Sequence, residues 1–321
     1  MKGKLKGYLI NISLMIALYV IFFVLINTGV VNRYYEGILI LIGINIILAT
    51  SLNLVTGFLG QLALGHAGFM AVGAYASALA TINMNLPIPS GLQFVISLII
   101  GGLVAALFGL IIGIPALRLR GDYLGIITLG FGEMIRVIII NLKFTNGARG
   151  LKGISMLSNF SNVYWITIIT VVVIYTVIHS RHGRSILAIR ENEIAADAVG
   201  VPTAFYKVFA FVLAAFFAGI AGGLFAHYMS IIDPKKFTFI FSVEILVIVV
   251  LGGMGSLTGS VIAAVLLTLL PEALRDFAIY RMLIYSVLLI IMMLFRPSGI
   301  FGTKELSIQK LLNRLKGKRS E

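Results

Sequence analysis

Long apolar runs separated by short polar segments dominate this chain. A helix needs about 20 residues to cross a ~30 Å hydrocarbon core, and runs near that length recur from end to end. The predicted spans are 8–30, 35–56, 61–82, 92–116, 121–141, 162–180, 207–230, 238–253, 257–274 and 279–296. The pattern therefore predicts an all-α, polytopic membrane protein with about ten transmembrane helices.

Glycine interrupts this pattern in two places. Residues 53–68 hold four glycines, and the short span 238–253 runs into LGGMGSLTGS at 251–260. Interrupted helices line pathways in transporters, but glycine also lets helices pack closely, and both interpretations stay open. If spans seven to ten repeat spans two to five with opposite topology, the two breaks occupy corresponding positions of an inverted repeat. The candidate pathway or gating residues here are Asn53, Gly57, Gln61, Gly65, His66, Gly252, Gly253 and Gly255.

Small residues at a spacing of four mark the seventh span. Ala214, Ala218 and Gly222 form one row, and Ala215, Gly219 and Gly223 form the next. Such rows let helix backbones approach closely, so we interpret these residues as serving helix packing.

Composition and charge narrow the class further. The chain is 60% hydrophobic and 12% charged, which is typical of membrane proteins. Its net charge of +13 does not indicate nucleic-acid binding, because the basic residues flank the spans. With both termini in the cytoplasm, 16 of the 25 Lys and Arg are cytoplasmic, among them Lys2, Arg118 and Arg120, and this bias fits the positive-inside rule.

Little in the sequence indicates catalysis. There is no cysteine, no metal-ligand spacing, no GxxxxGK[ST] nucleotide-binding loop, and no Ser, His and acid combination. Glu133 and Arg136 stand three apart within a predicted span and could form a structural ion pair or a proton or substrate relay. We therefore expect no enzyme, no metal and no cofactor in this chain.

The hydrophilic island at 181–207 is the internal segment best suited to a soluble partner. It predicts two short helices, the first capped by Ser185 and the second by Asn192, with Gly200 as a left-handed stop. On the second helix Ile194, Ala195, Ala198 and Val199 form a small apolar face, which favours docking into a groove on another protein over a solvated connection.

Several segments resemble one family of transporters. The island, GRSILAIRENEIAADAVGV, is similar to the EAA loop of ABC-importer permeases, with Ile194 inserted in the motif. The segments 51–80, 117–139, 243–272 and 294–302, the last reading LFRPSGIFG, resemble the branched-chain amino acid ABC permease family. The resemblance covers roughly residues 35–302 in order.

That resemblance implies a permease fold of the type II importer kind, with a single transmembrane domain at 1–302 and a basic cytoplasmic tail at 303–321. It also implies a homologous second permease, two cytoplasmic ATPases that bind ATP and Mg²⁺, and an extracytoplasmic binding protein. The cargo would be leucine, isoleucine and valine, or, as in close relatives, urea or short amides. The residues expected to couple to the ATPase are Gly183, Arg184, Arg190, Glu191, Glu193, Ala195, Ala196 and Gly200.

Two other functions remain as alternatives at this point. A self-sufficient secondary transporter would use Glu133 and Arg136 and an ion gradient. A membrane enzyme acting on lipids would need clustered His or acidic residues near one interface, and their scatter along the sequence disfavours it.

Overall fold

The computed structural model describes residues 2–83, 89–116, 121–277, 280–296, 299–300, 302 and 305. Within these ranges the chain is helical, and the one β-type pairing is an isolated bridge between Leu151 and Ile232. The helices are α1 Lys2–Asn27, α2 Arg33–Asn53, α3 His66–Asn83, α4 Ser90–Ala116, α5 Asp122–Asn141, α6 Phe160–His179, α7 Arg181–Glu191, α8 Glu193–Ala198, α9 Thr203–Met229, α10 Phe239–Gly252, α11 Leu257–Ala273 and α12 Arg281–Phe295. The all-α prediction is confirmed.

A helix occupies each predicted span, and α7 and α8 form the island. In the part of the chain that the structure describes, five segments are long and apolar enough to cross a membrane, judged by length and composition: Arg33–Phe58, Ser90–Ala116, Tyr123–Asn141, Phe160–His179 and Thr203–Met229. The predicted cytoplasmic residues Arg118 and Arg120, and the predicted tail 303–321 apart from Glu305, lie outside the described residues.

The centre of the bundle is α9, which packs between α3 and α4. Its small residues permit this, because a Cβ on Gly219 would lie 2.5 Å from Ala105 Cβ and 2.8 Å from Gly101 O, both on α4. On the other side a Cβ on Gly222 would lie 2.8 Å from Ala74 N of α3. The prediction that the rows of small residues serve close packing is confirmed.

Helix α4 shows how the sequence separates an inner and an outer face. Leu103, Leu107 and Ile111, four residues apart, are 58%, 53% and 58% exposed, while Ala105 and Ile112 on the opposite side are buried. A stripe of exposed leucine and isoleucine suits contact with lipid, and the small residues suit contact with α9.

One boundary differs from the prediction. Residues 61–65 were expected inside the third span, but α2 continues as a π-helical turn over Leu54–Phe58 and α3 begins only at His66. The reason is local: Gly60 has a φ of 75°, which ends the helix, and the N–H of Leu64 then donates to Thr128 Oγ1 of α5 at 3.0 Å. The first glycine break therefore lies between α2 and α3.

Candidate functional site

The two glycine breaks contact each other. The first, residues 54–65, follows α2, and the second, residues 253–256, separates α10 from α11. Gly255 adopts a φ of 87°, which side-chain-bearing residues rarely adopt. A Cβ on Gly57 would collide with the Asn53 side chain and with the backbone nitrogen of Gly255. The same glycines therefore provide both irregular backbone and close packing, and their part in a pathway remains a prediction.

Asn53, at the end of α2, joins the first break to the second. Its Oδ1 accepts a hydrogen bond from the Gly255 N–H at 2.9 Å, and its Nδ2 donates to Ser256 O at 2.9 Å and to Ser260 Oγ at 2.8 Å. The side chain is fully buried. Gly252 approaches α11, since a Cβ there would lie 2.8 Å from Ser260 N. A polar side chain predicted near a pathway thus fixes α2 to the start of α11.

Arg190, in the last turn of α7, reaches both breaks. A Cβ on Gly60 would lie 3.1 Å from Arg190 Cγ, and a Cβ on Gly255 would lie 2.6 Å from Arg190 Nη1. The island is therefore in direct contact with the two places where the spans are interrupted. We call residues 54–65, residues 253–256 and Arg190 the break junction.

Gln61 and Gly65 belong to the break junction, and His66 follows directly as the first residue of α3. His66 is buried, and its Nε2 lies 3.0 Å from Ser51 Oγ of α2. A Cβ on Gly65 would collide with Thr128 O of α5, while Gln61 is partly buried in the loop. His66 and Gly65 are thus placed for contacts between helices.

Glu133 and Arg136 lie elsewhere. Arg136 Nε donates to Glu133 Oε2 at 2.7 Å, and Glu133 Oε1 accepts from the N–H of Phe239, the first residue of α10, at 2.9 Å. Phe239 and Gly252 stand at opposite ends of α10, about 20 Å apart at 1.5 Å per residue. The pair therefore joins α5 to α10 at the end of α10 remote from the breaks, which favours a structural pair over a relay.

The island forms the two predicted helices with one difference in capping. Asn192 caps α8, since its Oδ1 accepts from the Ala195 N–H at 3.0 Å, and Gly200 has a φ of 85°, as expected. The cap of α7 was predicted at Ser185 and is instead Ser180, whose Oγ accepts from the Gly183 N–H at 3.4 Å. Ser180 was assigned to the preceding span, but α6 ends at His179, one residue before it.

The predicted coupling residues divide between two surfaces. Arg184, Glu191, Ala195 and Gly200 are exposed, together with Ile194 and Val199 at 70% and 80%. The other four, which are buried or partly buried, are Gly183, Arg190, Glu193 and Ala196. The apolar face predicted on α8 is therefore uncovered in this chain, while the remaining residues connect the island to the bundle.

Glu193 makes one of these connections through an ion pair. Lys207, in the second turn of α9, donates to Glu193 Oε2 at 2.6 Å, and the exposed fractions of the two side chains are 4% and 25%. The pair fixes α8 to the central helix. Lys207 was treated as the edge of the island, although a lysine inside the predicted start of a span was a signal that a carboxylate partner was near.

The unequal burial of this pair leads to a prediction. Glu193→Leu leaves a buried ammonium group without its carboxylate and should lower the free energy of unfolding by about 3 kcal/mol. Lys207→Met leaves a carboxylate that water can still reach and should cost about 1 kcal/mol. Thermal unfolding of the purified chain in detergent measures both, and equal losses would contradict the asymmetry.

Sequence reasoning missed the partners of Asn53 as well. Ser256 and Ser260 are both fully buried and both bond to it. Serines within GGMGSLTGS gave no signal of this contact, because the bonds join residues more than 200 positions apart.

Among the described residues no group of three or more His, Cys, Asp or Glu is placed to hold a metal ion.

Comparison with known proteins gives consistent results. The profile of the family described as "Branched-chain amino acid transport system / permease component" matches residues 34–295. The high-affinity branched-chain amino acid transport system permease protein LivM of Escherichia coli K12 is 37% identical over 305 residues, covering 84% of this chain and 70% of LivM. LivM of Salmonella typhimurium is 37% identical over 292 residues, covering 80% of this chain and 67% of that protein. LivH of Escherichia coli K12, also named as a permease of this transport system, is 32% identical over 130 residues, or 40% of this chain and 42% of LivH. No solved structure matches.

Proposed function

The chain belongs to the branched-chain amino acid transport permease family, and on that premise we propose that it is a transmembrane permease subunit of an ABC importer. It is a multi-pass membrane protein that forms part of the path for leucine, isoleucine and valine. Separate subunits hydrolyse ATP and supply the energy, and the chain itself carries out no catalysis.

The observation that carries this proposal is the position of the island. Its α8 presents exposed Ile194 and Val199, while α7 of the same island touches both glycine breaks through Arg190. A soluble ATPase docked on α8 would therefore act on the interrupted spans through rigid helices. The sequence holds no nucleotide-binding loop of its own, so ATP and Mg²⁺ belong to the partner subunits.

The proposal includes a topology and a set of partners. Ten crossings with both termini in the cytoplasm place the island, both breaks and the C-terminal segment on the cytoplasmic side. The partners are a homologous second permease, two ATPases and an extracytoplasmic binding protein, and the similarity of this chain to both LivM and LivH supports pairing of related permeases. The inverted repeat stays a prediction. The breaks follow spans two and eight, and a repeat of spans two to five as seven to ten would not place these two positions in correspondence.

Reconstitution tests the proposal against its alternatives. Vesicles that contain this chain, the second permease and the ATPases should take up labelled leucine only with ATP on the ATPase side and binding protein on the other. Uptake by this chain alone under an ion gradient, lost on Glu133→Gln, would indicate the secondary transporter instead. Inhibition of leucine uptake by urea or acetamide, with no inhibition by valine, would indicate that the cargo is an amide.

The exposed face of α8 provides a mutational test. Replacing Ile194 and Val199 by Asp places charges where an apolar contact is proposed, so binding of the ATPase should weaken at least about thirtyfold. Val30, 71% exposed in the turn between α1 and α2, is a matched control, and Val30→Asp should leave binding unchanged. Co-purification of the ATPase with each variant measures this. If the Ile194→Asp, Val199→Asp and Val30→Asp variants all recovered the same amount of ATPase, α8 would not be the docking helix.

A further inference from the structure

The segment after α12 returns to the second glycine break. The N–H of Ile300 donates to Leu251 O at 2.8 Å, near the end of α10. Gly299 is buried against the break, since a Cβ there would lie 2.6 Å from the Gly253 nitrogen, and the Gly302 backbone would contact a Cβ on Gly253 from the same segment. The motif LFRPSGIFG, which carried part of the family resemblance without a function, thus ends on the break.

Glu305 completes this contact at the start of α11. Its Oε1 accepts from the N–H of Leu257 at 2.7 Å and its Oε2 from the N–H of Thr258 at 3.2 Å. Ser256, the N-cap, provides the remaining two bonds: its Oγ accepts from the N–H of Gly259 at 3.1 Å, and its own N–H donates to Gly253 O at 3.1 Å. The four N–H groups at the start of α11 that have no partner within the helix, those of residues 256–259, are therefore all satisfied, and Glu305 also places a negative charge at the helix N-terminus.

The second break is consequently held from two directions. Asn53 and Arg190 contact Gly255 from α2 and α7, while Gly299 and Gly302 contact Gly253 and Glu305 contacts α11. Gly253 and Gly255 have φ angles of 109° and 87° and little intrinsic preference for one conformation, so the partners determine the geometry of the break.

We propose that Gly299, Ile300, Gly302 and Glu305 form a clasp that holds the second break against the first, with Glu305 as the positioning residue that fixes the start of α11. Glu305 is the one described residue of the predicted basic tail 303–321. Resting on the proposed function, the clasp makes the break and α11 follow the movement of α7 when the ATPases bind nucleotide. Loss of the clasp would let ATP be hydrolysed without moving the break.

Cysteine labelling tests the clasp independently of transport. The chain contains no cysteine, so Leu257→Cys introduces a single thiol at a buried position. In the membrane-bound full-length chain, Glu305→Ala should speed labelling of that thiol by maleimide about tenfold, because loss of a helix cap shifts local opening by about that factor. Glu305→Gln, which keeps the shape and one acceptor oxygen, should give an intermediate rate.

Two controls separate opening from general effects. Met254→Cys, 44% exposed, reports thiol reactivity and should label equally fast with and without Glu305. Asp276→Ala removes an exposed carboxylate just beyond the other end of α11 and should not change labelling at position 257. If Glu305→Ala and Glu305→Gln both label like Asp276→Ala, the clasp is overturned.

Transport by the whole complex provides the second measurement. Glu305→Ala should raise the ATP hydrolysed per amino acid imported several-fold, whereas a purely structural loss would lower both rates together. If labelling became faster but the ratio of ATP hydrolysed to amino acid imported did not change, the clasp would have no role in coupling ATP hydrolysis to import. Absence of ATP-driven uptake in the unmodified complex would overturn the proposed function and leave the labelling result standing.

Discussion

Replacing Gly219 by leucine should strongly destabilise the folded chain and lower its yield. Gly219 lies where α9 crosses α4, with Gly101 O and Ala105 Cβ at 2.8 and 2.5 Å from the position of a Cβ, and Gly73 of α3 faces it from the other side. The atoms in the way include backbone, which cannot rotate aside, so α3, α4 and α9 would have to separate. We expect a loss of at least about 3 kcal/mol, the upper part of the range for overpacking, out of a total stability of about 5–15 kcal/mol.

Gly130 provides the matched control for this experiment. It also lies within a predicted span, on α5, but a Cβ there would meet nothing within 4 Å. Gly130→Leu should therefore yield as much folded, monodisperse protein as the unmodified chain, while Gly219→Leu should yield little and Gly219→Ala an intermediate amount. Size-exclusion profiles and thermal unfolding in detergent measure this, and equal behaviour of the two leucine variants would refute the close three-helix crossing.

The sequence alone predicts those features that depend on local pattern. The helices follow from runs of apolar residues, the close packing of α9 from the four-residue spacing of Ala214, Ala218 and Gly222, and the end of α8 from Gly200. In each case the relevant physics acts within a few residues: helix periodicity, the size of a side chain, or a permitted φ. The exposed apolar face of the island belongs to the same group, because Ile194 on α8 and Val199 directly after it are both exposed.

Features that depend on distant contacts could not be predicted in this way. Asn53 and Gly255 are 202 residues apart, and nothing near either residue specifies the other. The first break was placed inside the third span, because hydropathy continues through residues 61–65 although the backbone there leaves the helix at Gly60. In the sequence, Arg190 cannot be distinguished from the exposed charges around it. In the structure, its place on α7 directs the side chain towards the breaks.

These contacts define two connections from the island into the bundle. The first runs from α8 through Glu193 and Lys207 to α9, and so to α3 and α4. The second runs from α7 through Arg190 to the breaks. Within the proposed function, an ATPase seated on α8 would move the central helix and the interrupted helices together. Asn53 extends the second connection by joining the end of α2 to the second break.

Replacing Asn53 by leucine should abolish transport. The change removes three hydrogen bonds. The Gly255 N–H is left buried without its Asn53 partner, which costs about 1–3 kcal/mol, while the Ser256 carbonyl and the Ser260 hydroxyl keep their bond to each other and lose about 1 kcal/mol each. We therefore expect a loss of about 3 kcal/mol or more and import of leucine reduced beyond detection. Asn53→Asp, nearly equal in size, should fail too, because a carboxylate oxygen would then face the Ser256 carbonyl.

Asn45 is the control, on the same helix two turns earlier. It is only partly buried and makes one side-chain bond, from Nδ2 to Thr268 Oγ1 at 2.9 Å. Asn45→Leu should cost about 1 kcal/mol, since one net hydrogen bond is lost, and should leave most of the import intact. Both variants retain the length and apolar character of α2, so a difference between them isolates the connection to the second break. If Asn53→Leu and Asn45→Leu imported leucine equally well in the reconstituted complex, the break junction would have no part in moving the cargo.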